Sequence, residues 1–212
     1  MIKALDKCFL IYTRSGALAL LRKLIIKLCN IIYNTNSATW YVRPLNSEGL
    51  EIIPEIPLTA DFVSFNETLN WIKQQNIPWM LNENEIKVAK RIGHHWASIR
   101  YNGNIIGYIK LGFNEVFITD YKKIIKFPKH VAYIYDTFVL DEFRNRKVAS
   151  YFIRETCKFL KKKGFGKVIC HIPDWNISSI KVYSKAGFKR IQAIRFLNIL
   201  GFKILTKNPS NF

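Results

Sequence analysis

The chain has 212 residues, of which 49% are hydrophobic, so its length and composition favour one sizeable folded domain and exclude wholesale disorder. Lysine and arginine number 33 against 15 aspartate and glutamate, and the resulting charge of +18 favours anionic partners: a phosphorylated cofactor, nucleic acid or an acidic membrane surface. The four cysteines form no CxxC pair and do not cluster with the histidines, which predicts buried free thiols in a reducing cytoplasm and no metal site.

The first long apolar segment predicts a helix over residues 16–33. Its leucines and isoleucines recur close to every 3.6 residues, while Arg22, Lys23 and Lys27 group elsewhere around the helix. Such a face usually packs on the domain core, and peripheral contact with a membrane is the alternative that stays open. No stretch reaches the ~20 uninterrupted apolar residues of a membrane span. The sequence therefore predicts a cytoplasmic protein, with membrane association as the open alternative.

The next part of the chain alternates short strands with helices. A strand is predicted over 38–45 and an irregular linker over 46–57. One helix is predicted from Asp61 or Ser64 to near Asn76, and another from Asn82 to Gly93. We place a domain boundary in this part, with an N-terminal extension at 1–58, the main domain at 59–205 and a tail at 206–212.

Antiparallel strands are expected next. The segments 96–100 and 105–111, joined by Asn102-Gly103, are typical of a β-hairpin. Further strands are predicted over 116–119 and 131–140, with a basic loop at 121–129 between them. Antiparallel strands that lead into a strand–helix–strand unit indicate a mixed α/β fold, with a mostly antiparallel sheet flanked by helices.

The stretch from Tyr133 to Gly187 carries the clearest chemistry. A charged turn, Asp141 to Lys147, follows the strand and leads into a helix over 148–163, then a strand over 166–172 and a second helix. A turn of this kind brings backbone N–H groups and the positive end of a helix dipole to one point, which suits a phosphate. The turn contains no glycine, so an ordinary solvated turn is the competing interpretation. One or two terminal strands are predicted over 189–205.

Two motifs in this stretch resemble those of the GNAT superfamily of N-acyltransferases. Arg144-Asn-Arg-Lys147-Val-Ala149 resembles its acyl-CoA-binding segment, in which Arg or Gln is followed by two residues, Gly, one residue and Gly or Ala. Asn176-Ile-Ser-Ser179-Ile-Lys-Val-Tyr183-Ser-Lys-Ala-Gly-Phe resembles the segment that follows in the family. The resemblance covers roughly residues 96–191, and the order of the two motifs makes it specific.

The resemblance implies a GNAT-like fold and an N-acyltransferase that moves an acetyl or other acyl group from coenzyme A directly to an amine. Backbone groups of the turn would hold the pyrophosphate, the strand end would pair with the pantetheine arm, Asn176 would contact that arm, and Tyr183 would be the general acid for the leaving thiolate. The implied cofactor-binding residues are Phe138, Val139, Leu140, Arg144, Asn145, Arg146, Lys147, Val148, Ala149, Ser150, Asn176 and Ser179.

Lys147 departs from the family pattern, because it occupies the position of the first glycine. Its side chain could point outward, bind a phosphate or crowd the loop, and we expect an intact site. An acyl carrier protein, whose acidic surface would suit the net charge, is an alternative donor. A GNAT-like module with a degraded cofactor site, kept for binding or regulation, is another alternative.

The acceptor side is less well defined by the sequence. The attacking ammonium must lose a proton, and Asp136 is the candidate general base, with a strand-end carboxylate paired to an arginine as its structural alternative. Glu142 and His171 are weaker candidates. Adjacent His94 and His95 are expected at the surface, and Trp79, Trp96 and Trp175 are expected to serve packing. The basic loop at 121–129 hints only weakly at nucleic-acid binding, which is the less favoured partner.

Overall fold

The computed structural model describes residues 33–46, 51–62, 65–75, 82–199 and 202–205. The chain divides into two compact units, one formed by residues 1–37 with 194–208 and the other by residues 38–193 with 209–212. The predicted helix over 16–33 lies outside the described residues except for Tyr33, which begins a strand. The predicted domain bounds, 1–58, 59–205 and 206–212, stay a prediction.

Ten strands and four α-helices are found in the described residues. The strands are β1 (Tyr33–Pro44), β2 (Thr59–Asp61), β3 (Trp96–Tyr101), β4 (Asn104–Phe113), β5 (Glu115–Ile118), β6 (Lys123–Lys126), β7 (Val131–Val139), β8 (Lys167–Pro173), β9 (Lys189–Ile199) and β10 (Phe202–Leu205). The helices are α1 (Phe65–Gln74), α2 (Glu83–Ile92), α3 (Val148–Lys162) and α4 (Ile177–Lys185).

The larger unit is built on a sheet with the strand order β1-β8-β7-β4-β3-β2. Each neighbouring pair is antiparallel except β7 and β8, which are parallel and are connected through α3. Parallel neighbours need such a long crossover, whereas the antiparallel strands β3 and β4 are joined by a two-residue turn. Strands β5 and β6 form a separate antiparallel pair. The predicted fold class, a mixed and mostly antiparallel sheet flanked by helices, is confirmed for this unit.

In the smaller unit, β9 and β10 pair in antiparallel fashion, with Phe202 opposite Ile199 and Leu205 opposite Phe196. Two terminal strands were among the expectations from the sequence.

The prediction of a basic loop over 121–129 is wrong, because strand β6 occupies the centre of this segment. Isoleucines at 124 and 125 supply strand-forming residues between the flanking lysines, and Ile125 lies opposite Val116 of β5.

Short sequence signals set the turns and helix ends. The Asn82 side chain accepts hydrogen bonds from the backbone N–H groups of Asn84 and Glu85 and so caps α2, which ends at Gly93 with φ 75°. In the β3–β4 hairpin, Asn102 (φ 48°) and Gly103 (φ 80°) adopt the left-handed conformation that two-residue hairpin turns require. The predictions of α2 and of this hairpin are confirmed.

The core divides according to the alternation of side chains along the strands. Ile109 of β4 belongs to the cluster that contains Phe152 of α3 and Tyr183 of α4, whereas its neighbour Tyr108 belongs to the cluster that contains Ile72 of α1. Adjacent strand residues point to opposite faces of a sheet. We call the first face the α3/α4 face and the second the α1/α2 face. None of the helices in the described residues has the length and apolarity needed to cross a membrane.

Strands β7 and β8 separate part of the way along their length. Their pairing covers Val131–Ile134 against Lys167–Cys170, but β7 continues to Val139 and β8 to Pro173. A β-bulge on the other side of β7, between Lys110 and Leu111 of β4, falls where the separation begins. Bulges bend a strand and increase its twist. The bulge therefore gives a physical reason for the gap, and the last residues of β7 have no strand beside them on the β8 side.

Candidate active site

The N-terminus of α3 is a ready anion-binding position. Lys147 is the N-cap residue and its side chain makes no capping hydrogen bond. The N–H groups of the first helical residues, Val148, Ala149 and Ser150, therefore have no partner within the helix. They add to the positive end of the dipole of a helix 15 residues long. An anion placed there would accept several hydrogen bonds at once.

The turn before α3 uses two residues with positive φ, Asn145 (63°) and Lys147 (61°). Asparagine tolerates this conformation, whereas for lysine it costs about 1–2 kcal/mol. This explains why glycine would suit position 147. The Lys147 ammonium lies 3.6 Å from the Glu55 carboxylate, and the Glu55 N–H donates to the Arg146 carbonyl at 3.3 Å. The segment around Glu55 thus contacts the turn and holds the lysine side chain.

A cavity of about 560 Å³ lies beside this turn. It brings together the two motifs that were singled out in the sequence, because both the α3 turn and α4 contribute to its wall. Of the predicted site residues, Asp136, Leu140 and Arg146 do not line it. Those that do are Phe138, Val139, Arg144, Asn145, Lys147, Val148, Ala149, Ser150, Asn176, Ser179 and Tyr183.

The open edge of β7 forms another part of the cavity wall, through Thr137, Phe138 and Val139. The Leu140 N–H donates to the Ile106 carbonyl of β4 at 2.9 Å. Backbone groups alternate in direction along a strand, so those of Thr137 and Val139 point toward the gap between β7 and β8. The Val139 carbonyl there accepts a hydrogen bond from Arg144 Nε at 3.0 Å.

Tyr183 is the most deeply buried polar side chain of the cavity, with 5% of its surface exposed. Its hydroxyl lies 2.8 Å from Thr137 Oγ1, at the strand edge. Burial raises the pKa of Tyr183 well above that of a free phenol, because the phenolate would lose its hydration. The group is therefore a neutral O–H at physiological pH and can donate a hydrogen bond.

Helix α4 is fixed at both ends. Asn176 Oδ1 accepts from the Ser179 N–H at 3.1 Å and caps the start of the helix. At the other end, the buried guanidinium of Arg43 donates to the Ala186 carbonyl at 2.5 Å, where the negative end of the dipole favours a cation. These contacts hold Tyr183 in place between them.

Asp136 lies on the other face of the sheet from Thr137 and Tyr183. Its side chain is exposed, and Oδ2 accepts a hydrogen bond from the Tyr108 hydroxyl at 2.6 Å. The expected alternative, an arginine partner, is wrong in this detail, since a phenol from β4 takes that place. Burial, followed by the charge of Asp136, raises the pKa of Tyr108, which therefore remains a donor.

More of the α1/α2 face is polar and internally bonded. Lys110, with 3% of its side chain exposed, lies 3.3 Å from a carboxylate oxygen of Glu85. The other oxygen of Glu85 accepts from Thr119 Oγ1 at 2.8 Å. The lysine ammonium also stands 5.0 Å from the centre of the Trp96 ring. These groups satisfy one another, so this part of the face is preorganised.

The weaker acid–base candidates occupy different settings. Glu142 is exposed in a short 3-10 turn, Asp141–Phe143. His171 bonds to Asp120 through Nε2 at 2.8 Å and to the Tyr133 hydroxyl through Nδ1 at 2.6 Å. Neither Glu142 nor His171 lines the cavity.

His94 was expected at the surface, but only 2% of it is exposed, and this expectation is wrong. Its Nε2 lies 2.9 Å from the Phe113 carbonyl and must donate, so Nδ1 accepts from the Tyr135 hydroxyl at 3.0 Å. Burial lowers the pKa of His94. The ring is thus a neutral structural link, and its neighbour His95 is exposed.

The tryptophans also differ from one another in exposure. Trp96 is buried, as expected of a packing residue, but Trp175 has 75% of its surface exposed, so the expectation for Trp175 is wrong. It lies in the turn between β8 and α4, where no element covers it in the described chain. Trp79 lies outside the described residues.

The described cysteines, Cys157 and Cys170, are free and buried, as predicted, and Cys8 and Cys29 lie outside the described residues. Burial raises the pKa of the Cys157 thiol to about 11. Within the described part of the chain, no group of histidine, cysteine, aspartate and glutamate side chains could hold a metal ion.

Several cavity residues were not predicted from the sequence. Thr137 directly precedes Phe138, the first of the predicted binding residues of this strand, and only the fold brings it to Tyr183. Ser178, Lys181 and Lys185 line the α4 wall at positions i, i+3 and i+7 of one helix face. Counting three, four or seven residues along the helix from Asn176 and Ser179 reaches Tyr183 but not this face, so the motif gave no signal for it. Phe143 and Val182 complete the set.

A mixed sheet of this order, with such a cavity where its parallel strands separate, is characteristic of a class of acyltransferases. Residues 57–188 match the model of the acetyltransferase (GNAT) family, and this span is more than half of the chain. The chain belongs to the GNAT family of acetyltransferases. Members of this family generally use acetyl-CoA or another acyl-CoA as donor.

Solved structures share the fold at low sequence identity. A GNAT-family acetyltransferase from Colwellia psychrerythraea has 14% identity and a TM-score of 0.54, covering 77% of this chain and 55% of its own. A GCN5-related N-acetyltransferase from Sphaerobacter thermophilus has 14% identity and a TM-score of 0.51, and the match covers 90% of this chain and 60% of that protein. A GCN5-related glucosamine N-acetyltransferase region of a fungal multi-domain β-N-acetylglucosaminidase has 16% identity and a TM-score of 0.54, and the match covers 86% of this chain and 23% of that protein. The chain therefore spans less than two thirds of each of these proteins.

Proposed function

We propose that the protein is an N-acyltransferase that moves an acetyl or other acyl group from coenzyme A to an amine by direct attack. The observation that carries the proposal is the single cavity that joins the free N–H groups of α3, the open edge of β7 and the Tyr183 hydroxyl. Coenzyme A carries phosphate, amide and thiol groups along one extended molecule. The phosphates need N–H donors, the amides need a free strand edge, and the leaving thiolate needs a proton donor.

The donor would be held mainly by the backbone. The N–H groups of Val148, Ala149 and Ser150 would bind the pyrophosphate, since no side chain caps the helix. The outward-facing groups at Thr137 and Val139 would bond to the amides of the pantetheine arm, as a strand neighbour would. The side-chain oxygen of Asn176 already accepts from the Ser179 N–H, and the side-chain nitrogen would donate a hydrogen bond to the same arm.

In the reaction, the amine nitrogen forms a bond to the thioester carbonyl carbon, and the carbon–sulfur bond breaks. Tyr183 would give its proton to the leaving sulfur. Burial raises the pKa of Tyr183, and the same loss of hydration would raise the pKa of the leaving thiol, so the two shifts run in the same direction. The proton lost by the amine would pass to Asp136, which Tyr108 holds, either directly or through water.

The test combines binding with turnover. Titration calorimetry should detect coenzyme A binding to the full chain, and a thiol-release assay with acetyl-CoA and a panel of primary amines should detect transfer. Ala149→Glu puts a carboxylate among the free N–H groups, and we expect it to weaken coenzyme A binding at least about 10-fold by charge repulsion. Ser184→Glu, exposed on α4 outside the cavity, changes the net charge equally and should bind almost as wild type.

The possible outcomes separate the competing functions. Binding of coenzyme A without transfer to any amine would favour the binding or regulatory module. Transfer only from an acyl carrier protein would assign a different donor. No binding of coenzyme A at all, with the protein folded by circular dichroism, would overturn the proposal.

A further inference from the structure

Four cationic side chains line the cavity, and no aspartate or glutamate does. Two of them have carboxylate partners: Arg144 bonds to Asp141 at 2.7 Å, and Lys147 to Glu55 at 3.6 Å. The other two, Lys181 and Lys185, form no ion pair with any carboxylate in the described part of the chain. The α4 wall therefore presents two positive charges that the protein itself does not neutralise.

The helical repeat explains why these two charges share the cavity wall. Lys181 and Lys185 are four residues apart, and with Ser178 they form one stripe along α4. Two residues after Lys181, the Tyr183 side chain turns inward to the strand edge and is buried. The same helix thus presents a buried phenol toward the sheet and two exposed lysine side chains to the wall of the cavity.

We propose that Lys181 and Lys185 bind the 3′-phosphate of coenzyme A and so select it over donors that lack this group. The inference rests on the proposed function, since it names a further contact of the same donor. Coenzyme A carries two separate phosphate groups, a pyrophosphate and a monoester on the ribose. The free N–H groups of α3 serve one anion, which leaves the monoester for another set of donors.

The chemistry of the two lysines suits a phosphate monoester. Such a group carries between one and two negative charges at neutral pH, with a second pKa near ~6. Two ammonium groups one helical turn apart match that charge, and lysine binds phosphate as a point charge without a fixed orientation. Because both side chains are exposed, we expect a moderate selectivity of about 10-fold that weakens as salt is added.

The experiment compares coenzyme A with 3′-dephospho-coenzyme A by titration calorimetry on the full chain. Wild type should bind coenzyme A about 10-fold more tightly. The double variant Lys181→Ala with Lys185→Ala should lose this difference while its affinity for 3′-dephospho-coenzyme A stays nearly unchanged. The control, Lys161→Ala with Lys162→Ala, removes the same charge at the far end of α3, outside the cavity, and should keep the selectivity.

Each other result overturns a defined part of the inference. Equal affinity of the wild type for the two ligands would remove the role of the lysines and leave the proposed function intact. Equal loss of selectivity in both double variants would assign the effect to the overall charge of the chain. If neither coenzyme A nor 3′-dephospho-coenzyme A bound the folded wild type, the proposed function would be overturned and the inference with it.

Discussion

The two faces of the central sheet are polar in different ways. On the α3/α4 face, the cavity has free backbone N–H groups, a strand edge without a neighbour and two lysines without a described carboxylate partner. On the α1/α2 face, the polar side chains are bonded to one another: Asp136 to Tyr108, and Lys110 to Glu85. Groups without partners are suited to a ligand, whereas bonded groups are suited to holding a side chain in position.

This difference has a consequence for the proposed reaction. The donor would bind through unsatisfied groups on one face, and the acceptor would meet a prearranged carboxylate at the other. Variants on the α3/α4 face should therefore change donor binding and thiolate release. Variants on the α1/α2 face should change the removal of the amine proton.

The largest effect is expected from Tyr183→Phe. Loss of the hydroxyl removes the proton donor for the leaving thiolate, and general acid catalysis is worth roughly 10²–10⁴-fold, so kcat should fall at least about 100-fold. KM for acetyl-CoA should change little, because the ring and the phosphate contacts remain. Steady-state thiol release measures both values.

Tyr41→Phe is the matched control, since it deletes a phenol from β1 outside the cavity and should retain activity. If Tyr183→Phe turned over as fast as wild type, Tyr183 would have no role in proton transfer. The contrast between the two faces would then lose its chemical basis.

A smaller effect is expected from Asp136→Asn. The carboxylate is exposed, so water can take over part of its task, and kcat should fall by about 10- to 100-fold, at or below the lower end of the roughly 10²–10⁴-fold range for general base catalysis. The loss should be least for acceptors whose amine is already deprotonated at the assay pH. Comparing amines of different pKa at one pH measures this dependence.

Glu142→Gln serves as the control for the acceptor side, because this exposed carboxylate lies in the turn Asp141–Phe143 and does not line the cavity. We expect it to leave kcat unchanged. If the two variants lost activity equally, Asp136 would no longer be the preferred base.

The smallest effect is expected from Lys147→Gly. Glycine removes the strain of a positive φ, and this outweighs the loss of the exposed contact with Glu55 and the greater freedom of glycine in the unfolded chain. The free energy of unfolding should rise by about 0.5–1 kcal/mol in urea denaturation. Coenzyme A affinity should change less than about 3-fold, since the N–H groups of α3 stay in place.

Lys147→Ala separates the two contributions, because it keeps the strained conformation and loses the ion pair. It should be slightly less stable than wild type. A glycine variant less stable than the alanine variant would mean that relief of the positive φ does not outweigh the greater freedom of glycine in the unfolded chain.

Much of the α3/α4 face could be predicted from the sequence, because its groups come from two local motifs. The order Arg144 to Ala149 and then Asn176 to Tyr183 places a helix N-terminus and a phenol on neighbouring elements, and the structure brings both to one cavity. The positive φ of Asn145 and the left-handed end of α2 at Gly93 also follow from residue type. Such local preferences act over a few residues and need no distant partner.

The tertiary structure decided what depends on neighbours far apart in the sequence. The partner of Asp136 is Tyr108, 28 residues away, and that of Tyr183 is Thr137, 46 residues away. Burial of His94 and exposure of Trp175 also differ from the prediction, because burial is set by which elements pack together. The amino-acid sequence by itself determined the helix start, the motifs and the excess positive charge. Only the folded sheet, through the separation of β7 from β8, determined which of these groups share a cavity.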